Sequence, residues 1–283
     1  MNGLLHLIRS IDLAFYRWLG QFAGNWVLDR LVSQEEANNI FKGGIFFAVY
    51  WYLWFRAGPD RNSRRSAIVV IVIGSLLALI LGRTISFVLP FRLRPMYDPS
   101  LVHPSYSVQF SPNLENWSAF PSDAATYFFA LAFGIGYLAR RLVIPIFLFT
   151  AGWICLPRLY IGAHYVSDVV GGAAIGIAIV WALLRTEWIH SLVAGPLLKF
   201  EQVRPEWFYV IAFLMSFELA DLFADIRNVG HAALHIARVP SHSGFLRLAF
   251  AVVGVAILAV YGSITLHRRN HILSRRANSR SST

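Results

Sequence analysis

The run from Ser66 to Gly82, SAIVVIVIGSLLALILG, contains no charged residue, and charge returns only at Arg83. A helix rises 1.5 Å per residue, so about 20 apolar residues cross the hydrocarbon of a bilayer. Within hydrocarbon every backbone N–H and C=O must find its partner inside the segment, and a helix achieves this. Similar apolar segments recur near residues 41–56, 122–139, 142–157, 166–185, 207–227 and 246–266. The fold class they predict is all-α, a polytopic membrane helix bundle of six to seven spans. Ahead of them, MNGLLHLIRSIDLAFYRWLG lacks the basic start, apolar middle and small-residue cleavage site of a signal peptide. It reads as an amphipathic or re-entrant helix, with Trp18 and Trp26 as interfacial anchors.

With 57% hydrophobic and 14% charged residues, the chain has more apolar surface than one soluble core would hide. Its formal net charge of +10 comes from arginines gathered in short loops. They mark orientation: the 56–65 loop (RAGPDRNSRR), Arg140–Arg141 and the tail from His267 are predicted to be cytoplasmic. Alternate threading then puts 91–121, 158–165 and 228–245 on the outer face, with the C-terminus inside. No basic stripe of the kind that grips nucleic acid is present. Cys155 is the only cysteine and lies in an apolar run, which excludes an intrachain disulfide and a Cys-based zinc site. The domain reading is an amphipathic region at 1–37, a core at 38–186, a cytoplasmic connector at 187–205, two further spans within 206–268, and a basic tail at 269–283.

Three polar clusters interrupt the apolar pattern, and all fall on the predicted outer face. In PRLYIGAHYVSD (157–168), Arg158, His164 and Asp168 follow the order Arg-x5-His-x3-Asp. On a helix, His164 and Asp168 stand one turn apart on one face. A carboxylate there can hold one imidazole nitrogen and leave the other to attack, while the arginine fork suits phosphate oxygens. The plainer alternative is an interfacial ion pair with a snorkelling arginine. In GRTISFVLPFRLRPMYD, Arg83, Arg92 and Arg94 gather before the helix-stopping Pro95. Such a cluster can converge on one phosphate or touch lipid headgroups. In AFPSDAAT, Ser122 is a natural N-cap and Asp123 suits the positive end of the following helix, whose N–H groups can meet an anion.

Taken in this order, the three clusters resemble the type 2 phosphatidic acid phosphatase superfamily across residues 40–186. That family carries a Lys-x6-Arg-Pro block, a Pro-Ser-Gly-His block and a Ser-Arg-x5-His-x3-Asp block. The resemblance implies His164 as nucleophile and Asp168 as its orienting partner. Arg94 and Arg158 would bind phosphate, assisted by Ser122 and nearby N–H groups. It also implies a phosphohistidine mechanism that needs no metal or other cofactor. The expected partners are a lipid phosphate substrate and membrane lipids, and the expected location is a bacterial inner membrane.

The chain departs from the family at three positions. Pro157 replaces the serine of the third block, and Phe87 stands where the first block has lysine, a charge that Arg83 or Arg92 would have to restore. Ala124 stands where the family has its second histidine, taken to protonate the leaving group. Losing a general acid costs about 10²–10⁴-fold when the leaving group needs one. An alkoxide leaving a monoester needs the proton badly, whereas a lipid monophosphate leaving a diphosphate needs it less. The expectation is therefore a preference for polyprenyl diphosphate over phosphatidic acid, with Asp123, His103 and Tyr127 as candidate substitute acids. Alternatives are a lipid-linked phosphotransferase and a non-catalytic lipid-phosphate binder. His231, His235 and His242 have no acidic or cysteine partner nearby and read as solvated loop residues. Glu218, Asp221 and Asp225 mark either a polar seam or an earlier end to the sixth span.

Overall fold

The structure, a computed structural model, describes residues 2–37, 40–101, 104, 106 and 114–222. Within these residues the secondary structure is helical, with no strand. The elements are α1 (Asn2–Gly20), α2 (Trp26–Ala37), α3 (Ile45–Phe55), α4 (Arg61–Val88), α5 (Asp123–Leu138), α6 (Arg140–Tyr160), α7 (Val166–Leu184), α8 (Gly195–Val203) and α9 (Pro205–Ala220). Three of them, α4, α6 and α7, are long and apolar enough to cross a membrane, and α5 is a shorter apolar helix. The six to seven spans read from the sequence are thus not reached among the described residues. The helix at 45–55 extends back only through a π turn at Ile40–Gly44, and α9 ends at Ala220 instead of continuing to 227. The segment 246–266, the histidines at 231, 235 and 242, Asp225 and the basic tail lie outside the described residues.

Helices α4, α5 and α7 form the centre, each packed against the other two. Their close approach rests on missing side chains. A Cβ on Gly176 would press into the Thr126 carbonyl, and one on Gly172 would lie 2.6 Å from the Ser122 carbonyl oxygen. A Cβ on Gly134 would collide with Ile71. Small residues that bring backbones together are the usual route to tight helix pairs where no hydrophobic effect acts between them. Helix α6 is one continuous run containing a π segment at Thr150–Cys155, immediately before Leu156 and Pro157.

At the end of α3, Arg64 donates from Nε to the Leu53 carbonyl (2.8 Å) and Arg65 from Nε to that of Trp54 (3.1 Å). The last turn of a helix leaves carbonyls without intrahelical donors, so two of the loop arginines serve as caps. Arg65 also pairs with Glu201 (2.7 Å), and Ser66 bonds to His190 (2.9 Å), so the 187–205 segment is helical and packed on α4. At the other end Lys42 pairs with Asp221 at 3.1 Å. Asp221 therefore follows the end of α9 and meets a cation, which joins the two readings of that acidic group.

The N-terminal helix behaves unlike a simple amphipathic helix. Leu4, Leu5, Leu7 and Ile11 are exposed, while Asp12, Tyr16 and Leu19 are buried. Its carboxylate face is inward, against α7, and its aliphatic face is outward. Beyond α1, Tyr160 Oη donates to the Phe22 carbonyl (3.1 Å) and to the buried Asp29, which ties the α1–α2 hairpin to the end of α6.

Gly176→Leu is expected to destabilise the bundle by about 3 kcal/mol or more, because the added side chain has no room beside the Thr126 backbone. Gly152→Ala, where a Cβ meets nothing within 4 Å, is expected to leave stability unchanged. Thermal unfolding of the two purified variants in detergent checks the contrast.

Candidate active site

The three polar clusters meet at one end of the α4–α5–α7 core, where each approaches through a chain break between helices. Pro95, in a short 3-10 turn, brings the first cluster onto the third: Met96 N–H donates to the Gly162 carbonyl at 2.9 Å. Gly162 has φ +72°, and a Cβ there would lie 3.1 Å from Met96 N and from Tyr16. Only glycine combines that backbone with that closeness. The second cluster joins through the Ala119 N–H to the Arg92 carbonyl (2.8 Å) and the Ser122 N–H to the Asp168 carbonyl (3.1 Å).

Arg94 lies at the junction, 2% exposed. Its guanidinium donates to the carbonyls of Trp117 (3.1 Å), Ala163 (2.7 Å) and Ser118 (3.3 Å). Its Nη1 also lies 3.2 Å from His164 Nε2. Among the described residues no carboxylate is in contact with it, so a buried cation is held by carbonyl dipoles alone. Burial pushes its pKa down to about 10, with Asp168 pulling the other way, and it remains a cation at neutral pH.

His164 is also buried. Its Nδ1 lies 2.8 Å from the Ala119 carbonyl oxygen. A carbonyl can only accept, so Nδ1 carries the proton and Nε2 keeps its lone pair, directed at Arg94. Burial drives the imidazole pKa well below its ordinary 6.5, and the charges of Arg94, Arg158 and Arg83 push the same way. His164 is thus a neutral imidazole with the Arg94 cation on its Nε2 side and the Asp168 carboxylate beyond hydrogen-bond reach of Nδ1.

The expected grip of Asp168 on the imidazole is not what the geometry gives. Asp168 Oδ2 stands 3.9 Å from Nδ1, beyond hydrogen-bond reach. It accepts instead from the Tyr165 N–H at 2.7 Å, at the start of α7, while Oδ1 accepts from Arg92. Placed in the first turn of α7, the carboxylate folds back onto the helix start and leaves Nδ1 to a backbone carbonyl. Asp168 acts on His164 through charge at close range.

Arg83 and Arg92, expected to stand in for the charge missing at Phe87, are both occupied. Arg83 is ion-paired with Asp123 and lies over the Trp117 ring at 4.6 Å. Arg92 bridges Asp168 and Asp12 and lies over the Tyr165 ring at 4.3 Å. Ser122 is fully buried and caps α5, with Oγ accepting from the Ala125 N–H at 3.5 Å, and does not face an open site. Arg158 is half-buried in the last turn of α6, six residues before His164, and adds its positive field to both His164 and Arg94. Ala124 is buried in the first turn of α5. Of the candidate substitute acids, Asp123 is engaged by Arg83 and Tyr127 is sealed in the apolar core, while His103 lies outside the described residues.

Two partners could not be read from the sequence. One is the Ala119 carbonyl, a backbone atom with no residue signature. The other is Asp12, from α1, whose only signal was a carboxylate between Ile11 and Leu13 in an otherwise apolar stretch. Among the described residues no three His, Cys, Asp or Glu side chains cluster as a metal site.

Residues 65–191 match the PAP2 superfamily. A bacitracin transport permease protein, BcrC, of Bacillus licheniformis is 26% identical over 150 residues, covering 52% of this chain and 67% of that protein. No solved structure matches the chain.

Because burial and Arg94 both depress the His164 pKa, its proton is taken up only well below pH 6.5. The unfolded chain takes that proton first as pH falls, so this histidine's share of stability is lost on going below about 6.5. Nitrogen-15 NMR of histidine-labelled protein is expected to show His164 neutral, protonated on Nδ1, at pH 6. Arg94→Gln is expected to raise the midpoint; a midpoint at the ordinary histidine value, unmoved by Arg94→Gln, would contradict the assignment.

Proposed function

We propose that this chain, which carries a PAP2-superfamily region at residues 65–191, is an integral membrane lipid phosphatase that works through a phosphohistidine on His164. The observation that carries the reading is the Arg94–His164 pair. It puts a buried cation without a contacting carboxylate 3.2 Å from the lone pair of a neutral imidazole. A phosphate arriving there supplies the missing anion for Arg94. Its oxygens take over the guanidinium N–H now aimed at Nε2, and that nitrogen is released to attack phosphorus. Arg158 adds positive charge where the equatorial oxygens gain negative charge.

In the first step the Nε2–P bond forms as the bond from phosphorus to the leaving oxygen breaks, and the lipid product carries away that electron pair. The imidazole becomes cationic, with Nδ1 keeping its proton and still donating it in a hydrogen bond to the Ala119 carbonyl. In the second step water attacks phosphorus, the Nε2–P bond breaks with its electron pair returning to the imidazole, and dihydrogen phosphate leaves carrying both water protons, with neutral His164 restored. Nothing in the first turn of α5 donates a proton to the leaving oxygen, because position 124 is alanine. The substrate that suits such a site is a lipid diphosphate, whose leaving group is a phosphate and not an alkoxide. A polyprenyl diphosphate fits that description. The arginines at the opposite end of α4 support an extracytoplasmic position for the site.

The second reading, a lipid-phosphate binder without turnover, is favoured by Ala124 and by the incomplete first block, where Phe87 stands in place of lysine. Phosphate release by the purified protein separates the two. Turnover of polyprenyl diphosphate is expected to exceed that of phosphatidic acid and to vanish in His164→Ala. Ala124→His is expected to raise phosphatidic acid hydrolysis by about 10²-fold or more, and diphosphate hydrolysis by less. Faster hydrolysis of phosphatidic acid by the starting protein would defeat the proposed preference, and release surviving His164→Ala would defeat the mechanism.

A further inference from the structure

We infer that Asp12, on the N-terminal helix, is a positioning residue for this site and acts through Arg92. The inference rests on the phosphohistidine reading above. Asp12 is 2% exposed although its helix turns its aliphatic side outward. One carboxylate oxygen accepts the Ser167 N–H at 2.9 Å, in the first turn of α7. The other accepts the Ser167 hydroxyl (2.6 Å) and Arg92 Nη2 (2.6 Å). Arg92 Nη1 reaches Asp168 and the Ser167 hydroxyl (2.7 Å). One guanidinium is therefore shared between two buried carboxylates, one from each end of the chain's first 168 residues.

The sharing has an electrostatic consequence. Asp12, Arg92 and Asp168 together carry one net negative charge, and Asp168 stands 3.9 Å from His164 Nδ1. When Nε2 bonds to phosphorus the imidazole gains positive charge, so that nearby negative charge stabilises the transition state more than the ground state. With Asp12 neutral, the cluster carries no net charge and Arg92 is drawn wholly onto Asp168. The field at the imidazole weakens, and the start of α7, which carries Asp168, loses its charged cap. Substrate phosphate does not meet Asp12 directly, so the loss falls on the chemical step.

Phosphate release from polyprenyl diphosphate tests this, in the 283-residue chain and in its Ala124→His version, with His164→Ala as the zero. Asp12→Asn keeps an acceptor for the Ser167 N–H but removes the charge. It is expected to lower kcat by about tenfold or more, with KM within about twofold. Arg92→Gln is expected to lower kcat similarly, and adding Asp12→Asn to it is expected to cost no more than about twofold further. If Asp12→Asn does not fold, Arg92→Lys serves instead, since one ammonium cannot bridge both carboxylates, and the same fall in kcat is expected. His164-dependent release that is indifferent to the substitution, a loss confined to KM, or losses that multiply in the double variant would overturn the inference alone. Absence of His164-dependent release in both backgrounds would overturn the phosphatase reading and the inference with it.

Discussion

A buried guanidinium that meets no carboxylate among the described residues organises the site. Arg94 draws carbonyls from Trp117, Ser118 and Ala163 around itself and faces the lone pair of His164. The Trp117 and Ser118 carbonyls lie in the segment before α5 and the Ala163 carbonyl in the one before α7, so one cation ties both segments to its own. The same cation, with burial, keeps His164 neutral and therefore nucleophilic. Burying a charge this deeply is costly unless it is compensated. In the proposed mechanism an incoming phosphate completes the compensation.

Around that cation the remaining charges are arranged in pairs. Asp123 takes Arg83, while Asp12 and Asp168 share Arg92. The α4–α5–α7 core below supplies the rigidity, through helix pairs brought close by Gly172 and Gly176. The N-terminal helix closes one side of the cluster with a carboxylate and turns its aliphatic side outward. In the proposed mechanism that carboxylate, through Arg92, tunes the charge beside His164.

Much of this was legible in the sequence. The apolar run after Ser66 required a helix, and the spacing of Arg158, His164 and Asp168 brought those residues to one end of α7. Pro95 placed Arg94 in a turn, and Ser122 announced the start of α5. Other features were not legible, for definite physical reasons. Apolar character alone did not separate α3 and α9, of 11 and 16 residues, from α4, whose 28 residues are long enough to cross a membrane. A hydrogen bond to the Ala119 carbonyl leaves no trace in residue type, so Asp168 was the natural partner to assign to Nδ1. Nor does sequence decide which carboxylate an arginine meets: Asp12 lies 80 residues before Arg92, and only packing of α1 on α7 joins them.

The central claim is that His164 Nε2 forms a bond to phosphorus. The most direct measurement is rapid acid-free quenching of the protein during turnover of a lipid diphosphate, followed by peptide mass spectrometry. The account predicts an alkali-stable, acid-labile phosphoryl group on the peptide containing His164 and on no other histidine. Sustained phosphate release with His164 never phosphorylated, even when product formation is resolved within a single turnover, would contradict it.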